Sequence, residues 1–146
     1  MVRRTLYELD SANQVLPLVR SIVRDVVEEF HSLRNAGREQ RALEAEPVVD
    51  VDARRRIRVL RENVGTASNR IEGYLRELEA LGLELRDLET GLVDFPTIFQ
   101  GEPAYFCWKP GEQDVGYWHA ATQGFADRRR LPREELATLG GRALPS

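Results

Sequence analysis

Two long stretches of the chain repeat apolar residues at the spacing of an α-helix. From Leu16 to Leu33 the apolar positions recur every three or four residues, and from Ile57 to Leu81 the same alternation runs without a miss. A narrow seam of this kind is typical of two helices that pack side by side, knobs into holes. The pattern therefore predicts a helical hairpin over about residues 11–82.

Proline, glycine and aspartate residues indicate where these helices begin and end. Pro17 predicts that a first helical turn ends just before it and that the main helix restarts at the proline. That helix ends either at Gly37 or, further along, before Pro47. The second helix is predicted to begin at an acid within Asp50–Asp52 and to end at Gly82.

Beyond Gly82 the apolar period falls to two, which is typical of half-buried strands. Leu83 and Leu85 alternate with charged residues, and the segments Ala104–Lys109 and Val115–His119 predict the arms of an antiparallel hairpin. The predicted fold class is α+β: a long antiparallel two-helix hairpin, coiled-coil-like, with a small C-terminal antiparallel β-meander.

We expect residues 1–146 to form a single domain, with the helical hairpin at 11–82 and the β-meander and tail at 83–146. A short helix is predicted at Arg133–Leu139. The second helix has a length of about 45 Å, which is more than the small β unit can cover. The uncovered seams therefore predict a homodimer that forms through the helices.

Composition and charge restrict the possible partners. A net charge of −3 and a pI near 5.5 argue against binding to nucleic acid or to an acidic membrane. The arginine runs Arg54–Arg56 and Arg128–Arg130 are flanked by acids, which predicts solvated, ion-paired faces. A single cysteine excludes an internal disulfide, and no apolar run approaches the roughly 20 residues that span a bilayer. No apolar segment follows the basic N-terminal residues, so we expect a cytoplasmic protein without membrane contact.

The chemically distinctive side chains are concentrated in one window, Leu92–Leu131, which holds the only cysteine, the only lysine and both tryptophans. On the predicted hairpin, Cys107 falls opposite Gly116 or Tyr117. In a register that puts Cys107 and His119 on one face, they are close enough for a metal or a proton relay, with oxygen ligands from Asp94 and Glu112. A zinc site usually has more ligands at short spacing, so we predict no metal, no cofactor and a buried structural Cys107. A metal set of Cys107, His119 and Asp94 is the alternative.

Asp94 stands alone among the apolar residues of Leu92–Pro96, after a glycine, Gly91, that permits a positive φ. A buried carboxylate must be paired or hydrogen-bonded. The candidate partners are the side chains of His119, Lys109 and Arg128 and the backbone N–H groups of the turn. Either Asp94 caps a turn through backbone N–H groups, or it orients His119 at the floor of an aromatic pocket.

Five aromatic residues alternate faces along the hairpin arms: Tyr105, Phe106, Trp108, Tyr117 and Trp118. One set is expected to pack on the helices, and the other to line a surface or pocket. The only lysine, Lys109, shares the turn with Glu112 and is a candidate for a specific role.

Several short motifs occur together: GLVDFP at 91–96, CWKPGE at 107–112, Trp118-His119, and Gly124-Phe125 followed by Arg128. With the run at 77–88 and the N-terminal Ala12-Asn13…Leu16-Pro17, they resemble an uncharacterised bacterial family, domain of unknown function 2203. Arg86 stands where the family pattern has lysine, and Arg129-Arg130 replaces a more neutral pair. The resemblance implies no activity. It implies that eight residues occupy family motif positions: Asp94, Cys107, Trp108, Lys109, Glu112, Trp118, His119 and Arg128.

We predict a small cytoplasmic binding or interaction protein that meets an unknown protein or small-molecule partner through its aromatic β-meander. The candidate ligand-binding residues are the eight motif residues. No P-loop, dinucleotide fingerprint or nucleophile elbow is present, so no catalytic residue is predicted. The alternative is a small metal-dependent or thiol-dependent enzyme that uses Cys107, His119, Asp94 and Glu112.

Overall fold

Two long α-helices pack against each other, and a five-stranded antiparallel sheet follows them in the chain. The computed structural model describes residues 5–132. The elements are α1 Leu9–Glu44, α2 Val51–Ala80, β1 Glu84–Asp87, β2 Leu92–Phe99, β3 Glu102–Trp108, β4 Tyr117–Ala120, a 3₁₀ turn at Phe125–Asp127, and β5 Arg129–Arg130. The strands pair in chain order. The predicted α+β class is confirmed, while the helix predicted at 133–139 lies outside the described residues.

The apolar seam of α2 faces α1, as predicted. It supplies five buried residues, Ile57, Leu60, Ala67, Ile71 and Leu78. In α1 the last buried residue is Val26. The apolar residues of α1 beyond it, in the far half of the hairpin, are half-buried or exposed. The pairing of these seams with a second chain stays a prediction. Among residues 5–132 no helix is long and apolar enough to cross a membrane.

α1 is one continuous helix, which corrects the restart predicted at Pro17. It runs through Pro17, although an interior proline costs a helix about 3 kcal/mol. Pro17 is exposed, while Leu16 and Val19 beside it are buried in the core, so packing holds the helix together around the proline. The helix also passes Gly37 and ends just before Pro47.

The ends of α2 follow the predicted chemistry. The Asp50 side chain accepts a hydrogen bond from the Ala53 N–H at 2.8 Å. Gly82 follows the helix with a φ of 78°, and the next N–H, that of Leu83, donates to the Leu78 carbonyl at 3.0 Å. This arrangement is the usual glycine-dependent helix end, and it turns the chain directly into β1.

β2 is a strand that the sequence analysis did not assign, and it contains Pro96, a residue that is unusual in a central strand. β1 pairs with β2 only from Leu92 to Asp94, so Pro96 lies beyond the end of β1. The Pro96 carbonyl accepts a hydrogen bond from the Tyr7 N–H at 2.7 Å, so the backbone groups of this residue point away from β3. The missing N–H therefore costs no hydrogen bond in the β2–β3 ladder.

The two faces of the sheet have different chemistry. The helix-facing side chains belong to the core: Val93, Phe95, Phe99, Phe106 and Trp108. Alternate residues point to the opposite face, which we call the outer face. Tyr105 and Tyr117 lie on this outer face, and Trp118 packs against the core, so the predicted division of the aromatic residues between two faces is confirmed.

Gly91 holds the sheet close to α1. Its φ is 83°, and a Cβ added there would lie 2.6 Å from Val23 Cγ1 and 2.9 Å from Pro110 Cγ. Gly101, in the β2–β3 turn, has a similar φ of 81° but no atom within 4 Å of the corresponding position. The two glycines therefore share the backbone requirement and differ only in crowding.

We expect Gly91→Ala to lower the free energy of unfolding by about 2–4 kcal/mol, because overpacking adds to the positive-φ strain. Gly101→Ala is the matched control and should cost only about 1 kcal/mol, from the strain alone. Urea unfolding followed by circular dichroism measures both. Equal losses for the two variants would contradict the close approach at Gly91.

Candidate functional site

A row of polar and aromatic residues crosses the outer face of the sheet. The strand register places these residues opposite one another in the order Glu84, Asp94, Cys107, Tyr117 and Arg130. His119 lies two residues beyond Tyr117 on the same face of β4, opposite Tyr105. The predicted hairpin register, with Cys107 opposite Gly116 or Tyr117, is therefore confirmed at Tyr117.

Asp94 and His119 pair across the strand between them. The His119 Nε2 atom lies 3.1 Å from both carboxylate oxygens of Asp94, and both residues are buried, at 2 % and 1 % exposure. The second bond to this carboxylate comes from Arg86 Nε, at 2.9 Å. The prediction that Asp94 pairs with His119 is confirmed. Among residues 5–132, its hydrogen bonds come from these two side chains, so the turn-capping interpretation is wrong.

The other ring nitrogen of His119 fixes the proton positions of this pair. Nδ1 lies 2.9 Å from the Ala120 carbonyl oxygen, which can only accept, so Nδ1 carries a proton. In a neutral ring, Nε2 would then present its lone pair to a carboxylate that is also an acceptor. The contact requires a proton or another cation between Nε2 and Asp94.

Cys107 lies beside this pair and is fully buried. Burial, together with the negative charge of Asp94, raises the pKa of the Cys107 thiol to about 12. Arg128, whose Nη1 lies 3.9 Å from Sγ, lowers the pKa of the thiol, but burial raises this pKa by more. The group is a thiol at neutral pH, and this argues against its use as a nucleophile.

Two arginines lie over the outer side of this cluster. The Arg86 guanidinium lies 5.0 Å from the centre of the Tyr105 ring. The Arg128 guanidinium lies 3.8 Å from the centre of the Tyr117 ring and 4.4 Å from that of Phe125. Arg86 bonds Asp94, Arg128 approaches Cys107, and the Tyr105 ring lies 5.5 Å from that of His119. Asp94, Cys107 and His119 are all buried and therefore form a closed polar cluster rather than the floor of an open pocket.

Glu112 does not reach the cluster. Both of its carboxylate oxygens bond to Arg128, and one also accepts the backbone N–H of Lys109 at 3.0 Å. Although burial works to lower the pKa of Arg128, the bonds from Glu112 raise it above its ordinary value. Glu112 therefore holds the covering arginine in place and supplies no ligand atom.

The remaining predicted residues lie elsewhere. Trp108 is fully buried on the helix side, with its indole N–H donating to the Glu112 carbonyl at 2.9 Å. Trp118 packs on Phe99, with ring centres 4.5 Å apart. Lys109 extends over Phe125, with Nζ 5.4 Å from the ring centre. These three residues belong to the core and the rim, and only Asp94, Cys107 and His119 converge.

Sequence reasoning missed Arg86 as a partner of Asp94. The register between β1 and β2 shifts between Leu85 and Asp87, so Arg86 is the extra residue of a β-bulge. A bulge changes the direction of a side chain in a way that alternation along the strand does not predict. The signal available in the sequence was chemical: a buried acid requires a cation.

The three converging residues offer one ligand atom each, all within 4.8 Å of one another. A thiol sulfur, an imidazole nitrogen and a carboxylate oxygen are all ligands that zinc accepts. The structure therefore brings together the three residues of the alternative metal set.

The chain belongs to the family described as uncharacterized conserved protein (DUF2203), whose model matches residues 5–131. No curated protein and no solved structure matches the chain. The match confirms the resemblance found in the motifs, and it assigns no activity.

We predict that Cys107 of the folded protein reacts with a thiol reagent such as Ellman's reagent at least about a thousandfold more slowly at pH 8 than after unfolding in urea. The reason is that a pKa of about 12 leaves almost no thiolate, whereas an unfolded cysteine is substantially ionised at this pH. Absorbance at 412 nm follows the reaction. Labelling of the folded chain at the unfolded rate would show that the thiol is neither buried nor protonated.

Proposed function

We propose that this protein binds one divalent transition-metal ion, of which zinc fits best, through Asp94, Cys107 and His119. It is thus a small binding protein whose ligand lies on the outer face of the β-meander. The observation that carries the proposal is the orientation of His119. Because Nδ1–H is committed to the Ala120 carbonyl, the contact of Nε2 with Asp94 requires a proton or a metal ion between the two groups, and zinc can replace that proton. A histidine that donates its other N–H to a carbonyl is the usual arrangement in metal sites.

The distances between the side chains support this proposal. In a tetrahedral zinc site, bonds of about 2.0–2.1 Å place nitrogen and oxygen ligands about 3.3 Å apart. The Nε2 atom of His119 and the oxygens of Asp94 are separated by 3.1 Å. A sulfur ligand would lie about 3.6 Å from either atom. Cys107, within 4.8 Å of both, needs a shift of about 1 Å, which a side-chain rotation supplies.

The charge of the cluster also supports the proposal. A zinc ion would replace two protons, the second proton of the His119 ring and the proton of the Cys107 thiol, so the net charge of the buried site would not change. The neighbouring arginines have carboxylate partners outside the ligand set, Glu84 at 3.4 Å for Arg86 and Glu112 for Arg128. A buried site that exchanges two protons for one divalent cation is left without an uncompensated charge.

Three protein ligands leave one tetrahedral position for water or another ligand. The covering side chains of Arg86 and Arg128 close that position from solvent, so we propose metal binding and no reaction. The thiol-dependent enzyme is disfavoured by the high pKa of Cys107.

The test is equilibrium dialysis of chelator-treated protein against zinc at pH 7.5, with elemental analysis of the protein. We expect one zinc per chain, and a loss of affinity of at least about tenfold in Cys107→Ser and in His119→Gln, since each variant removes a ligand. His31→Gln is the matched control, because His31 is the other histidine of the chain and is exposed on α1.

Circular dichroism establishes that each variant is folded before dialysis. The proposal would be wrong if the wild-type protein took up no stoichiometric zinc. Equal affinity in Cys107→Ser, His119→Gln and His31→Gln would also contradict it, because the zinc would then be bound elsewhere. If His119→Gln does not fold, Cys107→Ser alone decides, since serine replaces a small buried side chain with minimal change of volume.

A further inference from the structure

A second site lies at the far end of the helical hairpin, remote from the sheet. A cleft of about 450 Å³ opens between α1 and α2, and its lining includes Arg34, Arg38 and Arg41 around Gly37. Leu33 of α1 and Val64 of α2 supply its apolar floor. The three arginines lie at steps of four and three residues, on one stripe of α1.

Such a stripe of like charges disfavours the helix unless an anion lies nearby. Arg34 has a carboxylate partner, Glu89, at 2.7 Å. The acids of α1 that could serve the other two arginines point to α2 instead, where Glu39 bonds Arg56 and Glu44 lies 3.9 Å from Arg61. Within residues 5–132, the side chains of Arg38 and Arg41 make no ion pair and no hydrogen bond.

The charge of this end of the molecule is opposite to that of the whole chain. Residues 31–70 contain nine arginines and six acidic residues, and two of these arginines, Arg34 and Arg70, pair with Glu89 and Glu29 outside this stretch. The remaining seven arginines and six acids leave an excess of one positive charge, whereas the whole chain has a net charge of −3. A positive end on an acidic protein concentrates anions there by long-range attraction.

Gly37 lies in the lining of the cleft, between the arginines. Glycine in the interior of a helix is unfavourable relative to alanine. A Cβ at this position would be in ordinary contact with Arg41 Nη1, at 3.4 Å, so the Arg41 guanidinium lies against this part of the helix.

We infer that this cleft binds a small phosphorylated organic molecule. Its phosphate group meets Arg38 and Arg41, whose guanidinium groups can each donate two hydrogen bonds to phosphate oxygens. Its organic part contacts Leu33 and Val64. This inference is independent of the metal site, which lies on the sheet.

The experiment is a titration of the full chain, at low salt, with inorganic pyrophosphate and with a nucleoside diphosphate, followed by calorimetry. We expect saturable binding of both ligands, tighter for the nucleoside diphosphate because of the apolar floor. Arg38→Gln and Arg41→Gln should each weaken binding at least about tenfold, the usual consequence of losing a charged hydrogen-bond partner. Arg58→Gln, an exposed arginine of α2 outside the cleft, should leave the affinity unchanged.

Three results would overturn the inference. The first is the absence of saturable binding at ligand concentrations up to about 10 mM, which is ten times the roughly millimolar Kd expected of a weak site. The second is equal weakening by Arg58→Gln and Arg41→Gln, which would indicate general attraction to a positive surface. The third is tighter binding of a single-stranded oligonucleotide that Arg38→Gln and Arg41→Gln do not weaken, because that ligand would be using the surface and not the cleft.

Discussion

The side chains of Asp94 and His119 meet above β3, and their contact depends on the sheet, the bulge and the two covering arginines. The two residues lie on strands separated by β3, a spacing of about 9.6 Å at the backbone. Only a small side chain can lie beneath their contact, and Cys107 occupies that position. The Ala120 carbonyl fixes Nδ1 of the ring, and Arg86 fixes the carboxylate. Losing either of these two hydrogen-bond partners would leave a buried polar group unpaired, which is costly.

The helices support this cluster indirectly, through the segments that carry its residues. Asn13 of α1 bonds both backbone groups of Val115, at 2.8 and 3.3 Å, and so holds the segment before β4. Trp108 fills the core beneath the sheet, and its indole N–H donates to the turn that carries Glu112. The aromatic motif residues thus position the polar ones, because a rigid apolar face makes the register of the outer face definite.

The sequence was sufficient to predict the elements in which apolar residues repeat regularly. The α2 seam gave the buried face of that helix, and the alternation around Cys107 and His119 gave the hairpin register. It was insufficient where one residue changes the geometry. No element was assigned to β2, whose Pro96 is tolerated because β1 ends before it, and the Arg86 bulge cannot be recognised from the alternation of residues. Glu112 was grouped with the metal ligands by proximity in sequence, whereas Arg128, sixteen residues away, decides its orientation.

The most direct measurement of the central claim is ¹⁵N NMR of the imidazole rings, with exposed His31 as the internal reference. The account predicts that Nδ1 of His119 carries a proton both in chelator-treated protein and after one equivalent of zinc. Zinc should change the Nε2 resonance to that of a metal-bound nitrogen and leave the resonances of His31 unchanged. A ring protonated on Nε2 alone, with Nδ1 bare and no response to zinc, would contradict the account, because Nε2 would then simply donate to Asp94.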